Sequence, residues 1–394
     1  MGRTISQAFL AMLCCAVIIG YSHAGVRHDS RITWLTLQSE HFTIHYPEGY
    51  ETIARRTLAI SERIHDWLYI EIDWKPAERT EIVLTDEFDI SNAFATFFPS
   101  NRMTVFLPGP DDINSVEDHA GWLESVVLHE YVHILHQDKG TGAIQGLRKV
   151  FGRFLFWFPN AFQPRWIIEG LATYHETDAQ RGIGRGQSTY YDMIMRMEVD
   201  AQLKPIQQVN QPLVSWPAGT AYYLYGVQFY QYVRDKYGEE SIRKWVDNYS
   251  NNVIPFRIIS NSRQTFGKDL RQLWSEWEVS LRETYTAQLQ GVDRAGVRAG
   301  EKLTDYGYYL GPLTALPDGR IYYINWDGRR RWKLNVMHPD GTRKRLRSVN
   351  FDTRLDVHPE SGIIIAQPQR CRNANVYYDL YHVNPDNGFA RRLT

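Results

Sequence analysis

The segment His129-Glu130-Tyr131-Val132-His133 places two histidines four residues apart, with a glutamate directly after the first. The spacing of apolar and histidine residues around it predicts a helix. Positions four apart project from one helix face, so both imidazoles can reach a single metal ion. Zinc held in this way lowers the pKa of its water to about 7, and Glu130 can take the proton as the water attacks a carbonyl. The alternative is a buried helix whose histidines only pack.

A catalytic zinc site needs a third protein ligand, because three ligands leave the fourth position open for water. This ligand should be a His, Asp or Glu on another element. A second helix, predicted to open at Pro164, carries Glu169 and Glu176 on one face, and Glu169 is the candidate. Glu176 is expected either beside the ligands or in a structural position. His136 continues the histidine face, and we expect it to lie behind the ligands or to pack, and not to bind the metal, since the ligand set is already complete.

The segment Trp166-Ile-Ile-Glu169-Gly-Leu-Ala-Thr-Tyr-His-Glu176 resembles the third-ligand segment of the gluzincins, the zinc peptidases that include thermolysin and the aminopeptidase N family. The resemblance implies Glu169 as the third ligand beside His129 and His133, one Zn²⁺ per chain, and Glu130 as the general base. The gap between His133 and Glu169 is longer than in the aminopeptidases. Residues 140–163 are therefore expected to form an insertion.

The same resemblance implies a tyrosine that donates a hydrogen bond to the oxyanion as the carbonyl becomes tetrahedral. In the aminopeptidases it lies three residues before a glycine at a helix start, and Tyr223 has this spacing to Gly226. Tyr225 stands where the family usually has a lysine. Tyr223 is the predicted oxyanion donor, while Tyr222, Tyr225 and a purely structural role for the segment remain alternatives.

The elements that must position these residues follow from periodicity along the chain. Strands are expected at 41–46, 80–85 and 101–107, and helices at 47–70, from 118, from 164, and at 220–237, 239–246 and 270–289. The predicted fold is an α+β zincin-like metallopeptidase domain. It has an α/β N-terminal subdomain at 25–115 and a helical zinc-binding subdomain at 116–293.

Residues 301–394 change to short strands and turns after a Gly-, Arg- and Ala-rich linker at 294–300. The segment at 316–324 is echoed at 358–365, and the offsets of about 42 to 47 residues match one four-stranded propeller blade. About two blades are predicted, an incomplete set, since propellers have roughly four or more. The stretch from about Trp34 to Glu283 resembles the bacterial peptidase-MA-like proteins that precede a Tol-type, WD40-like β-propeller, and Phe158-Pro-Asn-Ala-Phe162 and Asn92-Ala-Phe-Ala95 are part of that likeness.

The first 24 residues have the features of a secretory signal peptide. Arg3 precedes a short apolar run, and Ser22-His23-Ala24 is a small-x-small cleavage site. An uncleaved anchor is the alternative. Cys371 is the one cysteine outside this segment, so no internal disulfide is expected in the mature chain. We expect a secreted protein with the periplasm as its location.

The net charge of −1 gives no general attraction for nucleic acid. The expected partner is a peptide or protein substrate, and the propeller blades offer a surface for a further protein. Segment 145–158 mixes Arg148, Lys149 and Arg153 with apolar and aromatic residues. It could lie on a membrane surface or form a lid beside the active site, and we favour the lid.

The sequence predicts a zinc peptidase, and endopeptidase activity is favoured over aminopeptidase activity. The Gly-x-Met-Glu-Asn segment with which the related aminopeptidases hold a substrate amine does not occur here. Strand 101–107 is instead expected to offer an edge for pairing with an extended peptide. Asp111, Asp112 and Glu176 remain candidate amine anchors. One competing function is a non-catalytic propeller-based binding protein with a relic zincin domain, which is disfavoured because Glu130 and all three ligands are present. The other is hydrolysis of non-peptide substrates.

Overall fold

The computed structural model describes residues 28–110, 121–178, 180–213, 216–296, 298, 300–304, 309–358, 362–370 and 375–394. The predicted signal peptide, Asp111, Asp112 and Cys371 lie outside the described residues. The chain divides into two compact units, Met1–Thr85 with Ser91–Gly291, and Asp86–Ile90 with Val292–Thr394. Among the described helices, none combines the length and the apolar content that a membrane span requires.

The first unit begins with a five-stranded mixed sheet in the order β1, β2, β3, β5, β4. The strands are β1 (Trp34–Gln38), β2 (Phe42–Pro47), β3 (Thr80–Thr85), β4 (Ala93–Thr96) and β5 (Arg102–Phe106). The neighbours β2, β3 and β5 are parallel, and β1 and β4 pair antiparallel at the two ends. β5 has four consecutive buried residues, which is typical of a strand covered on both faces.

The position of β5 corrects one expectation from the sequence. β5 is hydrogen-bonded to β3 on one side and to β4 on the other, so residues 101–107 do not offer a free edge. The short strand β4 (Ala93–Thr96) forms the end of the sheet instead. A peptide that extends this sheet on the side of β5 would therefore have to pair with β4.

Helices make up the rest of the first unit. They are α1 (Glu51–Ile72), α2 (Trp122–Asp138), α3 (Gly142–Phe151), α4 (Arg165–His175), α5 (Thr189–Ala201), α6 (Ala221–Tyr237), α7 (Glu239–Ser250), α8 (Ile258–Phe266) and α9 (Leu270–Ala295). The helices predicted from 118, from 164 and at 220–237 are confirmed within one to four residues of their starts. α9 continues to Ala295, so the first residues of the predicted linker at 294–300 are helical.

Four tryptophans hold the helices together around Phe229 of α6. Their ring centroids lie between 5.2 and 6.1 Å from that of Phe229. They are Trp166 of α4, Trp245 of α7, and Trp274 and Trp277 of α9. All four are nearly completely buried, so this cluster fixes the position of α4, the helix that carries Glu169, against its neighbours.

Helices α4 and α6 touch through their backbones at Gly170 and Gly226. A Cβ atom on Gly170 would lie 2.6 Å from the Cα of Gly226, and one on Gly226 would lie 2.3 Å from the carbonyl oxygen of Trp166. No larger residue fits at either position without separating the helices. Glu169 directly precedes Gly170, and Tyr223 lies less than one turn before Gly226. The crossing of the two helices therefore brings the side chains of Glu169 and Tyr223 close together.

The second unit contains two four-stranded antiparallel sheets, each with its strands in sequence order. One has β6 (Tyr309–Ala315), β7 (Ile321–Trp326), β8 (Lys333–Met337) and β9 (Arg343–Ser348), and the other has β10 (Arg354–His358), β11 (Gly362–Arg370), β12 (Val376–Val383) and β13 (Ala390–Arg392). Buried residues of the two sheets form one apolar cluster. Each sheet has the strand number of a propeller blade; that the sheets belong to a propeller stays a prediction.

His65 of α1 makes the stability of the first unit dependent on pH. It is buried, its Nδ1 lies 2.6 Å from the hydroxyl of Tyr131, and burial together with the charges of His41 and Lys75 lowers its pKa to about 4. The unfolded chain has the ordinary histidine pKa of about 6.5 and therefore binds a proton that the folded chain does not. We expect the urea midpoint to fall as the pH is lowered from about 6.5 to about 4.

The variant His65→Asn keeps a polar atom for Tyr131 but cannot titrate in this window. Urea unfolding followed by tryptophan fluorescence at several pH values should show a shallower decline for the variant. The same decline in both proteins would mean that other groups cause it.

Candidate metal centre

The three predicted ligands lie together between α2 and α4. Nε2 of His129 and Nε2 of His133 are 3.1 Å apart, and Oε2 of Glu169 lies 3.4 Å from the first and 3.2 Å from the second. Tetrahedral zinc with bonds of about 2.0–2.1 Å separates neighbouring donors by about 3.3 Å. The donor types and their spacing therefore fit zinc, with a set of two imidazoles and one carboxylate.

Glu176 and Arg185 orient His129 from the Nδ1 side of its ring. Oε2 of Glu176 lies 2.8 Å from Nδ1 of His129, and the guanidinium of Arg185 donates to both carboxylate oxygens at 2.5 and 2.8 Å. Burial alone would raise the pKa of Glu176, but Arg185 outweighs it and lowers the pKa to about 2. The carboxylate stays charged and accepts a hydrogen bond from Nδ1 of His129, so Nε2 is the nitrogen that faces His133 and Glu169.

The contacts of Glu176 place it beside the candidate ligands. Both of its oxygens are bound by Arg185 and His129, so it supports the side chain of His129. It does not present a free carboxylate that would hold a substrate amine.

Arg185 is the site residue that the sequence analysis missed. It lies on a short 3₁₀ turn between Gly184 and Gly186. A Cβ atom on either glycine would come within 2.7 Å of Thr177, so the turn packs tightly against the end of α4. The paired glycines were the one signal in the sequence, and they do not indicate what the arginine contacts.

The charges of the cluster favour a cation at its centre. Burial lowers the pKa of His129, but Glu169 and Glu176 outweigh it and raise the pKa to about 9. Burial raises the pKa of Glu169, and the two histidines hold it well below its usual range. A proton on the imidazole, or a metal ion, supplies the positive charge that these carboxylates require.

Glu130 and Tyr223 line the same cleft as the ligands. Glu130 is buried, and desolvation raises the pKa of its carboxyl. The Tyr223 ring lies 6.2 Å from that of His129 and under the guanidinium of Arg185 at 4.5 Å. Burial raises the pKa of Tyr223, so its hydroxyl keeps its proton and can donate a hydrogen bond.

The two alternative tyrosines are engaged elsewhere. The hydroxyl of Tyr225 donates to Glu198 at 2.7 Å and accepts from the amide of Lys204. Tyr222 packs against Tyr223 with a centroid distance of 4.6 Å. Neither of them is among the described residues that line the cleft.

Two further expectations from the sequence concern residues near the site. His136 is fully buried, and burial together with the nearby His133 lowers its pKa to about 3, so it packs as a neutral ring. Among the described residues that line the cleft, none belongs to segment 145–158. In this structure the segment does not cover the cleft, and the expectation of a lid is not met.

Replacing Arg185 by methionine is expected to weaken zinc binding by about 10- to 100-fold, because Glu176 would lose the cation that keeps it charged and oriented toward His129. Competition with a chelator measures this affinity directly. Arg181→Met is the matched control, since Arg181 is exposed on the same loop. Equal zinc affinity in the two variants would show that Arg185 does not act on the ligands.

Comparison with known proteins gives little beyond this geometry. No family model matches the chain, and no curated protein matches its sequence. Similar solved structures include the M1 zinc metallopeptidase from Deinococcus radiodurans, at 16% identity and a TM-score of 0.34, covering 64% of this chain and 51% of that one. A variant of that protein has a TM-score of 0.32 with the same identity and coverage. The chain thus spans about half the length of these structures, and at this similarity the likeness assigns no activity to it.

Proposed function

We propose that this chain is a zinc-dependent metallopeptidase of the gluzincin type that hydrolyses peptide bonds. The observation that supports this most is the approach of the three donor atoms of His129, His133 and Glu169 to 3.1–3.4 Å. Glu130 lies next to the first ligand in sequence, and Tyr223 borders the same cleft.

In this proposal each residue of the site has its own role in hydrolysis. Bound zinc would lower the pKa of water and polarise the substrate carbonyl. Glu130, whose pKa is raised by burial, takes the proton of the attacking water and returns it to the leaving amine. Tyr223 donates a hydrogen bond to the developing oxyanion. Glu176 and Arg185 hold His129 in the orientation that ligation needs.

The cleft is suited to an extended peptide. Asn92, Ala93, Phe94 and Ala95 line it, and all but the first belong to the end strand β4. A peptide could add to this edge as a further strand and cross the site with chain on both sides of the cleaved bond.

The carboxylates of the cleft favour endopeptidase activity. Among the described lining residues these are Glu130, Glu169 and Glu176, and each already has a role in the proposed chemistry. No lining carboxylate in the described part of the chain is left to bind a substrate amine. Asp111 and Asp112 lie outside the described residues.

A matched pair of substrates tests the activity. An internally quenched peptide with both ends blocked should be cleaved faster than an unblocked aminoacyl reporter, and metal analysis should find one zinc per chain. Glu169→Ala should lose both the zinc and the cleavage. Turnover of the reporter alone would establish an aminopeptidase, and zinc without cleavage of either substrate would favour a binding protein.

We also propose that the chain is secreted with loss of residues 1–24, and that the second unit binds a protein partner. Amino-terminal sequencing of the exported protein should start at Gly25. An intact amino terminus on exported protein would favour an uncleaved anchor.

A further inference from the structure

An aromatic strip lies on the surface of the first unit, formed by Phe151, Phe154, Phe156, Trp157, Phe162 and Phe256. Each ring contacts the next. Ring centroids are 6.4 Å apart for Phe151 and Trp157, 5.7 Å for Trp157 and Phe154, and 5.6 Å for Phe154 and Phe156. The strip continues from Phe156 to Phe162 and from Phe162 to Phe256, each at 5.8 Å. The strip therefore joins α3 and the turns after it to the loop before α8.

The ends of the aromatic strip are exposed to solvent. Phe151 and Phe256 are 66% and 73% exposed, and the neighbouring Val150 and Ile254 are 75% and 66% exposed. Four large apolar side chains therefore project to solvent, two at each end of the strip, and exposed apolar patches mark interaction sites.

Phe256 is held outward at a cost in backbone conformation. Its φ is +68°, a left-handed conformation that bulky residues avoid. Its amide donates to the hydroxyl of Tyr249 at 3.2 Å, which helps to fix this conformation. Strained conformations of this kind cluster at functional sites.

The segments that carry the aromatic strip contain no acidic residue. Residues 139–168 and 248–268 have neither Asp nor Glu, although the chain has 45 in 394 residues. Their basic residues are Lys139, Arg148, Lys149, Arg153, Arg165, Arg257, Arg263 and Lys268. Lys149 and Arg257 are exposed next to Val150 and Phe256. Six of these eight basic residues form ion pairs with carboxylates outside the two segments, so the basic rim of the apolar patch consists of Lys149 and Arg257.

The scaffold under the strip is firmly attached to the body of the unit. Asn251 accepts a hydrogen bond from the amide of Ala143 at the start of α3, at 2.8 Å. Arg148 donates to the carbonyl oxygen of Trp157 at 2.8 Å, and its guanidinium lies 4.0 Å from the ring centre of Phe158. Ile144 is the buried residue of α3. These contacts leave α3 with its apolar carboxyl end directed to solvent.

We propose that this face of the first unit docks on an anionic lipid surface, with Phe151, Val150, Ile254 and Phe256 entering the boundary between headgroups and acyl chains. Projecting aromatic and aliphatic side chains beside basic residues are what such a surface binds. A protein partner is less favoured because the exposed apolar side chains project outward at both ends of the strip. The cleft at His129 is not part of this surface.

Vesicle co-sedimentation of the full chain tests the proposal. The chain should bind vesicles of phosphatidylcholine with phosphatidylglycerol, and bind phosphatidylcholine alone much more weakly. Phe151→Ser and Phe256→Ser should each weaken binding by about tenfold or more, since each removes a phenyl group from the apolar layer. Phe389→Ser is the matched control, because Phe389 is 70% exposed in the second unit. Circular dichroism should confirm that the variants fold.

A second set of variants tests the contribution of the basic rim to vesicle binding. Lys149→Gln with Arg257→Gln should reduce binding to the anionic vesicles, and added salt should reduce it for the unchanged chain. Arg329→Gln, exposed in the second unit, should have no effect. Cleavage of a soluble peptide should be the same in all these variants.

The following results would overturn the proposal. The first is that the chain binds neither kind of vesicle. The second is that Phe389→Ser and Phe151→Ser lose vesicle binding to the same extent. The third is a stable complex with a soluble acidic protein that Phe256→Ser abolishes while vesicle binding persists, which would make the strip a protein interface.

Discussion

Replacing Glu130 by glutamine is expected to lower cleavage of a blocked peptide by roughly 10²- to 10⁴-fold, the usual contribution of a general base. Glutamine has nearly the same size and cannot accept the proton. Glu130 is not among the three groups whose donor atoms converge, so zinc content should stay unchanged. Initial rates and metal analysis on the same preparation measure both quantities.

Glu124→Gln is the matched control for this variant. Glu124 lies on the same helix, α2, forms an ion pair with Arg63, and does not line the cleft as described. It should leave the rate and the zinc content unchanged. If Glu130→Gln cleaves at nearly the full rate with zinc bound, the assigned mechanism is wrong.

Replacing Gly226 by alanine should have the largest effect on stability. The added methyl group would lie 2.3 Å from the carbonyl oxygen of Trp166 and 2.5 Å from the Cα of Gly170, so helices α4 and α6 must separate. Overpacking of this kind costs about 1–3 kcal/mol or more of the free energy of unfolding. Activity should fall as well, because the shift changes the position of Glu169 relative to Tyr223.

Gly291→Ala is the control for this substitution. Gly291 lies in helix α9, and no atom is within 4 Å of the position of its added Cβ. Alanine should stabilise the helix there by up to about 1 kcal/mol. Urea unfolding followed by tryptophan fluorescence compares the two variants, and a similar midpoint for both would show that the helix crossing tolerates a side chain.

The sequence predicted the three side chains that converge at the candidate metal centre because their spacing is local. His129 and His133 lie one turn apart on a helix, and Glu169 lies in a segment whose pattern extends over only eleven residues. Arg185 could not be found in this way. Its contacts to Glu176, His129 and Tyr223 depend on where a glycine-flanked turn packs, and no periodic pattern encodes that.

Two further expectations failed because the sequence does not encode which neighbour an element meets. β4 has four half-buried residues, too few for an alternating pattern, so the sequence predicts the edge at residues 101–107. The composition of segment 145–158 fits either a buried or an exposed apolar face. Only the packing of Ile144 and Arg148 against the body decides that Phe151 faces solvent.

The length of β4 would limit a substrate that pairs with this strand as proposed. A strand of four residues spans about 13 Å, so it can align only about four residues of a substrate by backbone pairing. Those residues must be fully extended and free of their own hydrogen bonds before they bind. The compact loops of a folded protein rarely offer such a stretch. Loss of structure in the substrate, more than its sequence, would then decide which proteins are cut.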